Sequence, residues 1–450
     1  MYAPVLIGVG LVLGLMLWAR VHAFLALLLA ALAVSLLSGQ GAAAVLESFG
    51  RTAGAVGVVI ALAAVIGQCL LLSGAADRIV GANVRLLGER RAAAGLMAGG
   101  YVLAIPVFFD TVFYLLIPLA RKLHRRTGLG YGLCLTALAG GAAATHALVP
   151  PTPGPLLVAA TLGVSVGQAL AVGLAVSVPA CLLGYAFAKR LDRWTPLTMV
   201  PTEAERFGPG DGAMAPPRPP GLAASLAPIA LPIVLIGAEE IRKAVGGGDG
   251  VATDPGGVLA EALPILGAPA VALGIATAVS VGLLVRSGGL GARSLSGVIE
   301  EALMSAGVII LITAAGGSFG AALKGTGIAD AIADAVDLGA AHAQLLLIGA
   351  FALASLLKIA QGSSTVAMIV ASGMLAAAVD VSALGTAPVF LSLAVCSGSL
   401  VGSWMNDSGF WIFSKMGGLT ERETLRTWTP MFGAIGVIAF ALTLLLSVVA

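Results

Sequence analysis

Between Thr127 and Ala188 the chain runs for 62 residues without one Asp, Glu, Lys or Arg. Crossing a hydrocarbon core of ~30 Å takes about 20 apolar residues, so a stretch of this kind belongs in lipid. Further charge-free runs occupy 52–76, 92–109, 219–238, 262–285, 302–323, 338–357, 359–379, 381–406 and 427–450, and two shorter ones, 4–19 and 21–38, flank Arg20. Only 10% of residues are charged, 59% are hydrophobic and the mean hydropathy is +1.03, whereas a soluble domain carries roughly 25% charged residues. The expectation is an all-α polytopic membrane protein whose largest partner is the lipid bilayer. The first run lacks a basic n-region and a clear cleavage site, so it reads as a retained helix rather than a signal peptide.

Several classes are set aside by the same numbers. A net charge of +2 is too small to suggest nucleic acid. Cys69, Cys134, Cys181 and Cys396 lie singly in apolar stretches, so no metal site or cofactor is expected from them.

Residues 45–79 and 298–332 align without a gap at an offset of 253. Glu47 falls on Glu300, Gly54 on Gly307, Gly67 on Gly320 and Gly74 on Gly327, and Ser73–Ile79 matches Thr326–Ile332 as [ST]-G-x-A-D-x-I. A weaker match at offset 255 sets Leu162–Ser165 on Gly417–Thr420, with Gln168 on Glu423. Loop charges orient the copies, because Lys and Arg collect on the cytoplasmic side. The loop 189–218 holds Lys189, Arg190, Arg193, Arg206 and Arg218 and reads as inside, while 245–258 holds Asp249 and Asp254 and reads as outside. Residues 78–91 carry Arg78, Arg85, Arg90 and Arg91, but their counterparts in 331–344 carry Asp334 and Asp337 and no base. Matched segments thus face opposite sides, the pattern of inverted-topology repeats.

Since 78–91 and the basic run 121–126 are both inside, 92–120 must enter and leave on one side. It reads as a re-entrant hairpin with its tip near Pro106 to Thr111, and 341–379 as its mate with a tip at Gln361–Thr365. The division expected is an N-terminal helix over 1–20, a first repeat over 21–193, a cytoplasmic loop and linking helix over 194–261, and an inverted repeat over 262–450. Each repeat carries one hairpin and one broken transmembrane helix, the breaks lying near 146–155 and 403–410. That makes ten crossings and two hairpins, with both termini outside.

Four polar clusters interrupt the apolar background, and each has a bland alternative. Asp110 and Thr111 sit at the first tip; an intramembrane carboxylate is functional by default, though Asp110 at a helix end near the surface is the competing reading. Thr145 to Pro155 contains His146, Pro151, Thr152 and four prolines in six residues. Proline cannot continue a helix, so the helix is broken within the membrane, or else this is an external loop. Lys358, Gln361, Ser363, Ser364 and Thr365 form the second tip, where hydroxyls and free helix-start amides suit an anion; the alternative is a snorkelling lysine beside packing serines. Asn406, Asp407 and Ser408 mark the second break, where the alternative is a structural Asp407 that caps free amides at a helix start.

These clusters resemble the gluconate permease family of proton symporters for sugar acids. The most specific pieces are His146-Ala-x-Val-Pro-Pro-x-Pro-Gly-Pro155, Ala360-Gln-Gly-Ser-x-Thr-Val-Ala367 and Asn406-Asp-Ser-Gly-Phe-Trp411, with Thr427-Trp-Thr429 and Phe108-Phe-Asp110 in agreement. The resemblance implies the ion-transporter superfamily fold, a small organic anion as substrate and a proton as co-substrate. Thr152 stands where the family usually has histidine. Asp110, His146 and Asp407 are the titratable candidates for the proton, with His146 as a relay. Glycerate-like acids, serine and sodium coupling stay open, as does association of copies of the chain.

Two rival functions fit the residues less well. Gly316-Gly-Ser-Phe-Gly320 matches G-x-S-x-G, but that motif needs a strand–turn–helix elbow, and here it lies in an apolar helix. No H-E-x-x-H or G-x-x-x-x-G-K-[ST] occurs, so no catalytic residue is assigned. A channel is the other rival, which inverted halves with broken helices fit less well than a carrier.

Overall fold

The computed structural model describes residues 2–106, 109–200, 218–245, 258–291, 293–326, 340–378 and 387–449. Asp110 and Thr111 have helical backbone, but their side chains lie outside the described set. So do the last six residues of the longer repeat match, 327–332, and the loop residues Arg206, Asp249, Asp254, Asp334 and Asp337.

The described residues form helices and no strand. In chain order they are α1 (Tyr2–Leu17), α2 (Ala23–Leu37), α3 (Ala42–Leu72), α4 (Ala75–Leu87), α5 (Ala92–Leu103), α6 (Phe109–Thr127), α7 (Tyr131–Leu148), α8 (Pro153–Thr161) and α9 (Val166–Trp194). After these come α10 (Leu222–Val245), α11 (Val258–Leu266), α12 (Pro269–Ser287), α13 (Leu295–Lys324), α14 (Ala340–Gln361), α15 (Ser364–Ala378), α16 (Ala387–Gly398), α17 (Ser408–Gly417) and α18 (Glu421–Val449). Eight stretches among them, α7 and α8 counting as one, are long and apolar enough to cross a membrane.

Local chemistry sets several helix starts. Ser165 caps α9 by accepting from the Gln168 amide at 3.1 Å. At α18 Thr420 and Glu423 bond reciprocally, Thr420 N to Glu423 Oε2 at 2.8 Å and Glu423 N to Thr420 Oγ1 at 3.3 Å, a capping box. These are the residues that match at offset 255, so the paired positions do the same local work.

The two helices matched at offset 253, α3 and α13, are 31 and 30 residues long and pack on each other. On its other side α13 meets α15 at glycine: a Cβ added to Gly320 would lie 2.9 Å from Gly373 Cα, and one added to Gly316 would collide with Ile369 Cγ2. Small residues let membrane helices approach this closely. The G-x-S-x-G sequence is therefore a helix contact. Its Ser318 is fully buried, with Oγ 3.0 Å from the Ala314 carbonyl and 3.1 Å from that of Val45.

Helix α5 has 12 residues, about 18 Å at 1.5 Å per residue, too short to span the core. It packs against α6. Arg126 in the last turn of α6 reaches back to Glu89 before α5, Nη2 to Oε1 2.6 Å, so the start of α5 and the end of α6 lie side by side. Nearby, buried Arg121 bonds the Tyr131 hydroxyl at 2.8 Å and the carbonyls of Val200 and Gly417 at 2.6 and 3.3 Å.

Candidate binding site

Three interruptions meet inside the bundle. Between α7 and α8 the chain runs through Val149–Thr152; Thr152 precedes α8 and Pro153 takes its first position, where proline's missing amide costs nothing. Between α16 and α17 it runs through residues 399–407, and Asp407 caps α17, its Oδ1 accepting from the Gly409 amide at 2.9 Å. Between α14 and α15 only Gly362 and Ser363 intervene. Gln361 ties that turn at both ends, its Nε2 donating to the Ser363 carbonyl at 2.5 Å and its Oε1 accepting from the Ser363 amide at 3.1 Å.

Gly362 has φ +88°, and a Cβ there would run into the Asn406 carbonyl. Its conformation and its neighbour both demand glycine. The second break thus lies directly on the turn. Asn406 Nδ2 donates to the Ile359 carbonyl at 2.8 Å and Trp404 Nε1 to the same oxygen at 2.9 Å, satisfying carbonyls that the end of α14 would otherwise leave open.

A cavity of about 480 Å³ lies between these interruptions. One wall is polar: Gln361, Ser363, Ser364 and Thr365 from the α14–α15 turn, and Asn406, Asp407 and Ser408 from the second break. The first amides of α15 and α17 have no acceptor within their own helices, and the dipole makes both starts positive. His146 and Pro153 reach the cavity from the first break. The facing wall is aromatic. Trp428 stacks on Phe432 at 3.9 Å between centroids, and Phe109 meets both edge-on at 5.6 and 5.8 Å. Ser305 and Ile309 of α13 complete the lining on that helix.

Lys358 is not among the lining residues. Fully buried, it points its Nζ at Asp407 Oδ2, 2.6 Å away, and at the Gly362 carbonyl. The same Oδ2 accepts from Ser403 Oγ at 2.5 Å, and Ser403 Oγ accepts from Trp428 Nε1 at 2.7 Å. Removing one partner of a buried ion pair leaves an uncompensated charge, at a cost of about 3–5 kcal/mol.

Of the residues singled out in the sequence, the fold brings His146, Gln361, Ser363, Ser364, Thr365, Asn406, Asp407 and Ser408 to one cavity. Pro151 faces instead an apolar crevice with Pro106, Pro150 and Ile105. Thr152 is buried, and its hydroxyl donates to the Val149 carbonyl at 2.7 Å. His146 Nδ1 is buried and has no partner among the described residues. The aromatic wall escaped the residue-by-residue reading, although Trp428 stands in the Thr427–Thr429 motif; an aromatic residue in an apolar run gives no signal of facing a cavity.

An all-helical membrane bundle with interrupted helices around a solute-sized polar cavity defines a carrier protein rather than an enzyme. Its sequence matches the GntP family permease pattern over residues 2–449. The chain belongs to that family. It is 34% identical to the inner membrane permease YgbN of Escherichia coli K12, covering 97% of this chain and 96% of that one. To the low-affinity gluconate transporter of the same organism it is 33% identical, over 97% and 98%. Among solved structures, the YdaH transporter of Alcanivorax borkumensis, described as having an unusual topology, superposes with a TM-score of 0.54 at 17% identity, covering 89% of this chain and 86% of that one. That last likeness is one of fold.

Proposed function

We propose that this permease takes up gluconate or a similar sugar acid by proton symport across the cytoplasmic membrane. The observation that carries the reading is the cavity bounded by the starts of α15 and α17 on one side and by Trp428, Phe432 and Phe109 on the other. An anion gains ~0.3–1 kcal/mol from each helix start, so the substrate carboxylate belongs between Ser363–Thr365 and Asn406–Ser408. The remaining hydroxyls of a sugar acid find Gln361, Ser305 and His146 within the same lining. With His146 Nδ1 unpartnered, a neutral ring carrying its proton on Nε2 leaves only an acceptor unmet, which costs less than a buried unmet donor. His146 then serves as a donor to substrate. A full-length gluconate transporter at 33% identity supports the substrate class.

Symport fits the energetics. An inside-negative potential opposes a bare anion by ~2.3 kcal/mol per charge at about 100 mV, and a co-transported proton offsets it. Alternating access follows from the inverted repeats, whose paired α3 and α13 and whose two helix interruptions support that arrangement. Uptake and counterflow of labelled gluconate in proteoliposomes test the reading, with glycerate, serine and sodium as competing conditions. Saturable uptake driven by a pH gradient is expected, together with counterflow against preloaded unlabelled gluconate. Unsaturable flux would mean a channel, and uptake only with sodium would mean a different coupling ion.

A further inference from the structure

We infer that Lys358 is a tethered counter-cation, not a substrate ligand, and that the transported proton is carried on Asp407 by opening the Lys358–Asp407 pair. The inference rests on the symport reading above and names its coupling residues.

The ammonium of Lys358 is held by a carboxylate oxygen of Asp407 and a backbone carbonyl of Gly362. Oxygen ligands of these kinds are what a small metal cation takes. Here a side chain supplies the positive charge from within, at the place where the α14–α15 turn rests on the second break. While the pair is closed, its charges cancel beside the cavity. Asp407 itself lines the cavity, whereas Lys358 does not. A proton arriving from the cavity therefore reaches the carboxylate, not the ammonium.

Proton transfer to Asp407 leaves the carboxyl neutral, still able to bond Ser403 Oγ and the Gly409 amide. Lys358 keeps its proton and its carbonyl contact, so the wall gains one net positive charge next to the helix starts that face the anion. Anion affinity rises. By reciprocity the bound anion raises the affinity of Asp407 for the proton to the same degree. Release of the anion on the far side lets the pair close and expels the proton, so one proton accompanies each singly charged acid. Among the described residues, the other titratable side chain lining this cavity is His146 of α7; the side chain of Asp110 of α6 lies outside the described set.

The trio D407N, K358Q and K358Q/D407N separates the roles, read by gluconate binding to purified protein at acidic and at alkaline pH. The wild type should bind about tenfold more tightly in acid. D407N, which mimics the protonated carboxyl, should bind as the acid form at both pH values. K358Q and the double variant should bind weakly at both. A wild-type pH response in D407N or in K358Q overturns the inference. Because those results need gluconate to bind, the melting temperature of the substrate-free protein is followed in parallel. Acid should lower it in the wild type by breaking the pair, and lower it less in D407N. If the wild type binds no gluconate but the melting difference appears, the substrate reading fails and the titrating pair stands. An equal acid shift in both overturns the pair.

Discussion

Trp428 donates its indole N–H to Ser403 Oγ at 2.7 Å, fixing the second helix break from a residue that also stacks in the cavity wall. The same α18 turn adds a bond from Thr429 Oγ1 to the Ser403 carbonyl at 2.6 Å. Replacing Trp428 by Phe keeps most of the stack and loses the bond, whereas Ala loses both. W428F should retain reduced uptake. W428A should destabilise the protein by about 3–5 kcal/mol and abolish uptake, as checked by thermal unfolding in detergent and by transport.

Ser364 and Thr365 open α15 on the polar wall, and Ser364 Oγ also donates to the Ser399 carbonyl at 2.9 Å. A bulky apolar side chain at either position fills the place assigned to the carboxylate. S364L and T365L should reach the membrane in normal amount yet lose gluconate uptake. Near-normal uptake by both variants would refute that placement.

Gly362 combines φ +88° with an Asn406 carbonyl where a Cβ would stand. Gly362→Ala carries a strain penalty of about 1–3 kcal/mol and must also push the break away from the turn. Both a lowered melting temperature and a loss of transport are expected. A variant with wild-type values on both measures would show that the turn can shift without consequence.

Two of the arginines of α6 make a contrast. Arg126 and Glu89 are exposed, with side chains 70% and 60% accessible, so R126A should cost no more than about 1 kcal/mol and leave uptake nearly intact. Arg121 is buried and holds two carbonyls and a phenol. R121A strands those acceptors, and several-fold loss of folded protein is expected on size-exclusion analysis.

Sidedness can be tested directly because all four native cysteines are buried. Single cysteines placed at His124 and at Gly250 should react with an impermeant maleimide from the cytoplasmic and the external face respectively. Labelling from one shared face would sink the inverted-repeat arrangement.

Membrane class, helical content and the positions of the interruptions were legible along the chain because their causes are local. Lipid demands long uncharged runs, proline ends a helix within a residue or two, and Thr420 with Glu423 announces a helix start within one turn. One cavity holds His146 with Gln361–Thr365 and Asn406–Ser408, three stretches far apart along the chain. What no local pattern carries is which partner a side chain finds across the bundle. Lys358 and Asp407 lie 49 positions apart, and either could have faced the cavity with the other turned away. Tertiary packing decided it, since a lysine enclosed on every side needs a compensating partner, and Asp407 Oδ2 stands 2.6 Å from its Nζ. Packing likewise turned Thr152 onto the Val149 carbonyl, sent Pro151 to a separate crevice, and gathered Phe109, Trp428 and Phe432 from α6 and α18 into one wall. Aromatic residues satisfy an apolar run equally well facing lipid, core or cavity, so only the assembled bundle distinguishes among them.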